Sequence, residues 1–289
     1  MRTTLLLGIG LLCGMAAGAT ERNMNQLPAD LKTPALTEGE PAPGKRVRQV
    51  WPEWVGTGVY HALYLPMDWV PGRTYPVIVE YAGNGDYRSA FGDVSNGTVE
   101  GSNLGYGISG GRGFIWVCLP FVDAARKQNA THWWGDPDAT AAYCRQSAER
   151  ICTQFGGDAK AVFLAGFSRG AIACNYIGLR DDATARLWVG FIAHSHYDGV
   201  IETWPYSGAD RASALARLQR LNGRPVFISD AQSVDQTRLY LEATGVRAPF
   251  TYQVLPWPNH SDAWVLRDVP ERQKLREWVR SVLASRGRP

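Results

Sequence analysis

Residues 164–178 read LAGFSRGAIACNYIG, a serine between two glycines where one hydrophobic pattern gives way to another. Upstream, Ala161 to Ala165 (AVFLA) is a short apolar run suited to a buried strand, and from Ala171 onward the apolar residues keep a helical period. Ser168 therefore falls on a strand-to-helix turn. Gly166 and Gly170 let the backbone bend tightly there without a Cβ clash, so the central side chain projects from the sheet edge. Gly166-Phe167-Ser168-Arg169-Gly170 is the G-x-S-x-G nucleophile elbow, and its plain alternative is a tight connection with a solvated serine. An acid and a histidine at the right places downstream would decide between the two.

The chain has 289 residues, 45% hydrophobic and 20% charged, enough to bury a substantial core in one α/β domain. Residues 1–19 read as a removable export signal: Arg2 opens it, Leu5 to Leu12 supply an apolar stretch, and Ala17-Gly18-Ala19 forms a small-x-small cleavage site. The apolar stretch is far short of the roughly twenty residues a membrane span requires. Cys13 lacks the small residue usual before a lipidated cysteine, so a stable membrane anchor is not expected. Secretion or a periplasmic location follows from the signal.

Loss of Arg2 lowers the formal net charge from +3 to +2. Apart from Arg286-Gly287-Arg288 the basic residues alternate with acids, which argues against a nucleic-acid surface. Cys118, Cys144, Cys152 and Cys174 remain. Export permits disulfides, but Cys144 and Cys152 lie about 12 Å apart along a predicted helix and cannot bridge each other. Buried free thiols are the alternative.

Residues 20–45 are rich in Pro, Glu and Thr and lack an apolar period, as expected of an exposed leader or a wrapping arm. The catalytic body is expected over 46–289. Strands are predicted near 47–51, 58–65, 76–81, 113–119, 161–166, 188–194, 225–229 and 250–255, and helices near 138–155, 169–180, 210–221, 233–244 and 269–285. The expected architecture is a mostly parallel eight-stranded sheet with helices on both faces. Gly105 to Gly110 spell G-x-G-x-x-G but precede a strand, the reverse of dinucleotide-binding order, so a loop at the active-site rim or an ordinary surface loop is expected.

A serine hydroxyl needs a base within hydrogen-bond reach and a carboxylate to orient that base. His260, in Trp257-Pro258-Asn259-His260-Ser261-Asp262, lies between the last strand and the last helix, where chain order places the elbow's histidine. Asp235 is the favoured acid, a short loop beyond the strand Pro225 to Ser229 and near a helix start; Asp230 and Asp198 compete with it. Oxyanion donors are expected from the Arg169 backbone N–H and from the loop Ala82 to Asp86, where Gly83, Asn84 or Gly85 carries it, Asn84 and Gly85 foremost.

Ser168, an acid near 235, His260 and the 82–86 loop together resemble the α/β-hydrolase fold and its esterase members. Within them the chain resembles secreted polysaccharide-associated and polyhydroxyalkanoate-depolymerase-like esterases. It departs from many of these in having Arg169 after the serine and no Gly-then-Asp turn at the acid. The resemblance implies an exported serine carboxylesterase, without cofactor or metal, that acts through an acyl-enzyme on a small-molecule or polysaccharide-linked ester. A peptidase or other acyl hydrolase of the same fold, and a non-catalytic carbohydrate-binding relative, are the alternatives.

His194-Ser195-His196-Tyr197-Asp198 also resembles the H-x-H-x-D of metallo-β-lactamase-like proteins, but Gly199 stands where a further histidine is expected. A pocket or structural role for His196 and Tyr197 is the better reading. Of the eleven tryptophans, Trp133, Trp134, Trp204 and Trp257 lie near loops on the catalytic edge, as does Tyr206. Trp133, Trp134 and Trp257 are expected to bind a sugar ring or an aromatic acyl group.

Overall fold

Alternation along the strands builds two cores, one on each face of a single sheet. The computed structural model describes residues 22–285. The sheet contains β1 (Leu36–Thr37), β2 (Arg46–Gln49), β3 (His61–Tyr64), β4 (Tyr75–Tyr81), β5 (Ile115–Leu119), β6 (Gly157–Phe167), β7 (Gly190–His194), β8 (Val226–Ala231) and β9 (Phe250–Leu255). Their order is β1-β2-β3-β5-β4-β6-β7-β8-β9. Only the pairings of β3 with β2 and with β5 are antiparallel. From β5 to β9 every neighbour is parallel, and the inner strands β4, β5 and β7 are near-continuous buried runs because both faces are covered.

The helices are α1 (Leu104–Ser109), α2 (Pro137–Phe155), α3 (Arg169–Tyr176), α4 (Asp182–Ala185), α5 (Arg211–Leu218), α6 (Asp235–Thr244) and α7 (Pro270–Ser285). On β6, Val162 and Leu164 enter one core with Tyr143 of α2, Ile172 of α3, Leu218 of α5 and Leu241 of α6. Phe163 and Ala165 enter the other with Leu104 of α1 and Leu275 and Val279 of α7. All eight expected strands are present, 250–255 with the expected ends and the other seven with shifted ones. The ninth, β1, lies within the arm and pairs with β2 at the sheet edge.

The arm wraps the body. Met24 is buried, and the Asp30 carboxylate takes Arg272 of α7 in a two-pronged ion pair at 2.7 and 2.8 Å. The expected leader 1–19 and the Arg286-Gly287-Arg288 tail lie outside the described residues. Among the described residues no helix is long and apolar enough to cross a membrane. Cys118, Cys144, Cys152 and Cys174 are unpaired thiols, all but Cys152 fully buried.

The Gly105 to Gly110 stretch is corrected from a loop to a helix. It forms α1, whose glycines permit close packing: a Cβ at Gly105 would lie 2.1 Å from the Trp116 ring, and one at Gly107 2.2 Å from Val265. The buried Glu80 carboxylate caps its start, accepting the N–H groups of Asn103, Leu104 and Gly105. Burial, with Asp262 nearby, pushes the Glu80 carboxyl up to about 7.

Candidate active site

The elbow follows β6 directly. Ser168 has φ 53° and ψ −114°, a conformation costly for a residue with a Cβ and held here by its surroundings. Its N–H donates to the His194 carbonyl at 2.8 Å, and its carbonyl accepts the Ala171 and Ile172 N–H groups. Both flanking glycines are sterically required, since a Cβ at Gly166 would meet the Gly170 carbonyl oxygen at 2.0 Å and one at Gly170 the Tyr81 carbonyl oxygen at 2.0 Å.

This turn and the loop after β9 bring Ser168 Oγ within 3.0 Å of His260 Nε2. With the imidazole proton on Nδ1, Nε2 accepts the serine hydroxyl. Burial lowers the proton affinity of His260 to a pKa of about 4; His194 adds to the effect and Asp93 opposes it. The ring is therefore neutral at neutral pH, as a base must be. Phe167, Tyr87 and His196 pack around it at centroid distances of 4.8, 4.9 and 5.2 Å.

None of the three expected carboxylates bonds His260. Asp235 opens α6 on the surface, where it accepts Ser233 Oγ at 3.1 Å and pairs with Arg238 at 2.8 Å, its side chain 64% exposed. The expectation of Asp235 as the orienting acid is thus corrected: a carboxylate at a helix start is satisfied locally and points to water. Asp198 is buried against Arg217 and Tyr206. Asp230 accepts the Ala231 N–H, and burial pushes its carboxyl up to about 7. The carboxylate that does reach the histidine is Asp93, whose Oδ2 accepts the His260 backbone N–H at 3.1 Å. It belongs to the hairpin formed by Tyr87–Arg88 and Val94–Ser95, well before the elbow in the chain, where the expected serine-acid-histidine order gives no reason to look.

The Arg169 N–H, first in α3, has no intrahelical acceptor. Asn84 likewise leaves its backbone N–H without an acceptor among the described residues, while its Oδ1 accepts the Trp133 N–H at 2.8 Å. Gly85 is corrected as an oxyanion donor: its N–H is committed to the Thr131 carbonyl at 2.8 Å. The Arg169 side chain, unforeseen in this role, is buried without a carboxylate. It donates to the carbonyls of Gly83 (2.9 Å), Gly97 (3.1 Å) and Trp133 (2.7 Å) and lies 4.1 Å over the Phe121 ring. Burial lowers its pKa to about 9. One side chain thus ties the elbow to the two loops that wall the cleft.

That cleft, about 270 Å³, opens on Ser168 and His260 between Tyr87, Trp133, His196 and Trp204. Trp133 (φ 45°) and Trp204 are 5.3 Å apart. The expected positions Trp133 and His196 therefore line it, and three others do not. Trp134 is buried, stacked on Tyr176 at 4.5 Å. Tyr197 is buried in the same core. Trp257 packs in the opposite one. All three side chains fill the interior, which aromatic composition alone does not distinguish from a cleft wall. Tyr87 enters the wall without a sequence signal. His194 is a structural bridge, one ring nitrogen 3.0 Å from Ser229 Oγ and the other 3.0 Å from the Ser261 carbonyl. Among the described residues no His, Cys, Asp and Glu side chains gather in a group able to hold a metal ion.

No family model and no curated protein matches the sequence. Among solved structures the chain is similar to Thermogutta terrifontis esterase 2 phosphorylated by paraoxon, with TM-score 0.56 and 15% identity over 84% of this chain and 94% of that one. It is similar to a fungal esterase from Rhizomucor miehei, with TM-score 0.54 and 12% identity over 84% and 85%. It is also similar to Porphyromonas gingivalis dipeptidyl peptidase 4, with TM-score 0.51 and 17% identity over 83% of this chain and 35% of that one. Several matching structures are much longer, the chain spanning 62%, 41% and 33% of three of them. The sheet order, the elbow and this likeness define the α/β-hydrolase fold.

Proposed function

We propose that the chain is an exported serine hydrolase of carboxylic esters. The observation that carries this reading is the 3.0 Å contact of Ser168 Oγ with a neutral, half-buried His260 at the mouth of a cleft. His260 removes the hydroxyl proton as Ser168 attacks the ester carbonyl, and the imidazolium returns that proton to the departing alcohol. The oxyanion is met by the backbone N–H groups of Arg169 and Asn84. Water, deprotonated by His260, then releases the acid from the acyl-enzyme.

The aromatic walls Tyr87, Trp133 and Trp204 suit one flat ring or a short acyl chain, as in an acetylated or feruloylated sugar. A panel of short aryl esters, such sugar esters and peptide amides, compared by kcat/KM, tests the reading. Preference for the amides would overturn it in favour of a peptidase.

A further inference from the structure

We infer that Asp93, held in place by the N-terminal arm, is the positioning carboxylate of His260, acting through the histidine's main chain where chain order leads one to expect an acid after β8 to act on the ring. This rests on the serine hydrolase reading above. Asp93 is 3% exposed and accepts four hydrogen bonds: from Asn25 Nδ2 (3.0 Å) and Asn259 Nδ2 (2.8 Å) at Oδ1, and from Ser89 Oγ (2.8 Å) and the His260 N–H (3.1 Å) at Oδ2. All four partners are neutral donors; no arginine or lysine bonds the carboxylate directly, and Arg267 feels its charge only through space. That charge lies beside the ring that becomes an imidazolium during the reaction.

The backbone leading into His260 is fixed at the same hub. Asn259 accepts the Met24 N–H at 2.7 Å and donates to Asn23 Oδ1 at 3.0 Å, so the arm grips the residue before the histidine from both ends of its amide. Asn23 and Asn25 both donate to the Phe91 carbonyl at 3.0 Å, which ties the arm to the Asp93 turn. Arg267 holds the far side of the arm through Leu27 and Asn25. The serine contact of His260 is thus set from behind, through its own main chain, and no carboxylate among the described residues bonds its Nδ1.

The charged and titratable groups facing the ring are Tyr87 from the hairpin, His194 and His196 from the end of β7, and Asp93. Since the carboxylate favours the protonated ring, its removal lowers the proton affinity of His260 further. The experiment compares the unmodified chain with Asp93→Asn by NMR titration of the His260 ring and by kcat and KM on a short aryl ester. The expected result is a downward move of the His260 midpoint, kcat lower by about 10²-fold and KM within about threefold. An unmoved midpoint overturns the proposal, even if kcat falls, because a purely structural role predicts that outcome. The titration needs no turnover, so failure of the ester hydrolase reading would appear separately, as an unmodified chain that cleaves no ester. Should Asp93→Asn not fold, Asn25→Ala removes a single arm donor and leaves the carboxylate. A several-fold loss of kcat supports the arm's part in the proposal, and an unchanged kcat overturns it.

Discussion

Replacing Arg169 by Met keeps an apolar body over Phe121 and deletes the guanidinium. Three carbonyls, those of the buried Gly83 and Gly97 and of the half-buried Trp133, then lose a charged donor. An unsatisfied buried acceptor costs about 1–3 kcal/mol, and relief of the burial of an unpaired cation offsets part of the total, leaving a loss of about 3–6 kcal/mol. Catalysis should suffer separately. Gly83 adjoins Asn84, and Trp133 is bonded to Asn84 Oδ1, so freeing both carbonyls lets the Asn84 N–H drift from the oxyanion position. Loss of one such donor lowers kcat by about 10²–10³-fold. Arg169→Lys keeps the charge on a single nitrogen that cannot reach three carbonyls, and should fall between the two. Urea midpoints and kcat on a short aryl ester, measured for all three proteins, check both parts. An Arg169→Met protein with an unchanged midpoint and kcat within about threefold would refute the reasoning.

Asp235→Asn should leave kcat within about twofold, since its carboxylate faces solvent and Arg238; a loss near 10⁴-fold would restore it as the orienting acid. Because burial lowers the His260 pKa to about 4, the ring stays in its basic form well below the ordinary histidine range, and the acid limb of kcat/KM should fall near pH 4 instead of near 6.5. A limb at the ordinary position would show that the ring is solvated in the working enzyme. Dialysis against a chelator should leave activity unchanged, as both nitrogens of His194 already have protein partners; loss with recovery on zinc would promote the histidines to ligands.

How much was legible follows the range of the forces involved. The elbow is local: two glycines, a serine and the flanking patterns lie within one short stretch, so the turn can be read from the sequence. His260 follows because chain order in this architecture places it after the last strand. Chain order names a loop, however, and not a side chain, and Asp235 satisfies itself within that loop through Ser233 and Arg238. Asp93 meets His260 across 167 residues and through a backbone N–H, a contact that no periodicity encodes. The α1 helix was hidden for a related reason. Gly105 and Gly107 disfavour a helix locally, and only the close approach of Trp116 and Val265, with the Glu80 cap, favours it. The partition of tryptophans between cleft and core likewise depends on which loops pack against which helices, so Trp134 and Trp257 read like Trp133 in the sequence.

The central claim is that Ser168 is a nucleophile activated by His260. It is tested most directly by treating the chain with paraoxon and locating the adduct by mass spectrometry of its peptides. The account predicts a diethylphosphoryl group on Ser168, loss of ester hydrolysis in step with labelling, and no adduct on Ser168→Ala or His260→Ala under the same conditions. Ester hydrolysis that persists with Ser168 unlabelled, or a folded Ser168→Ala protein that turns over normally, would contradict it.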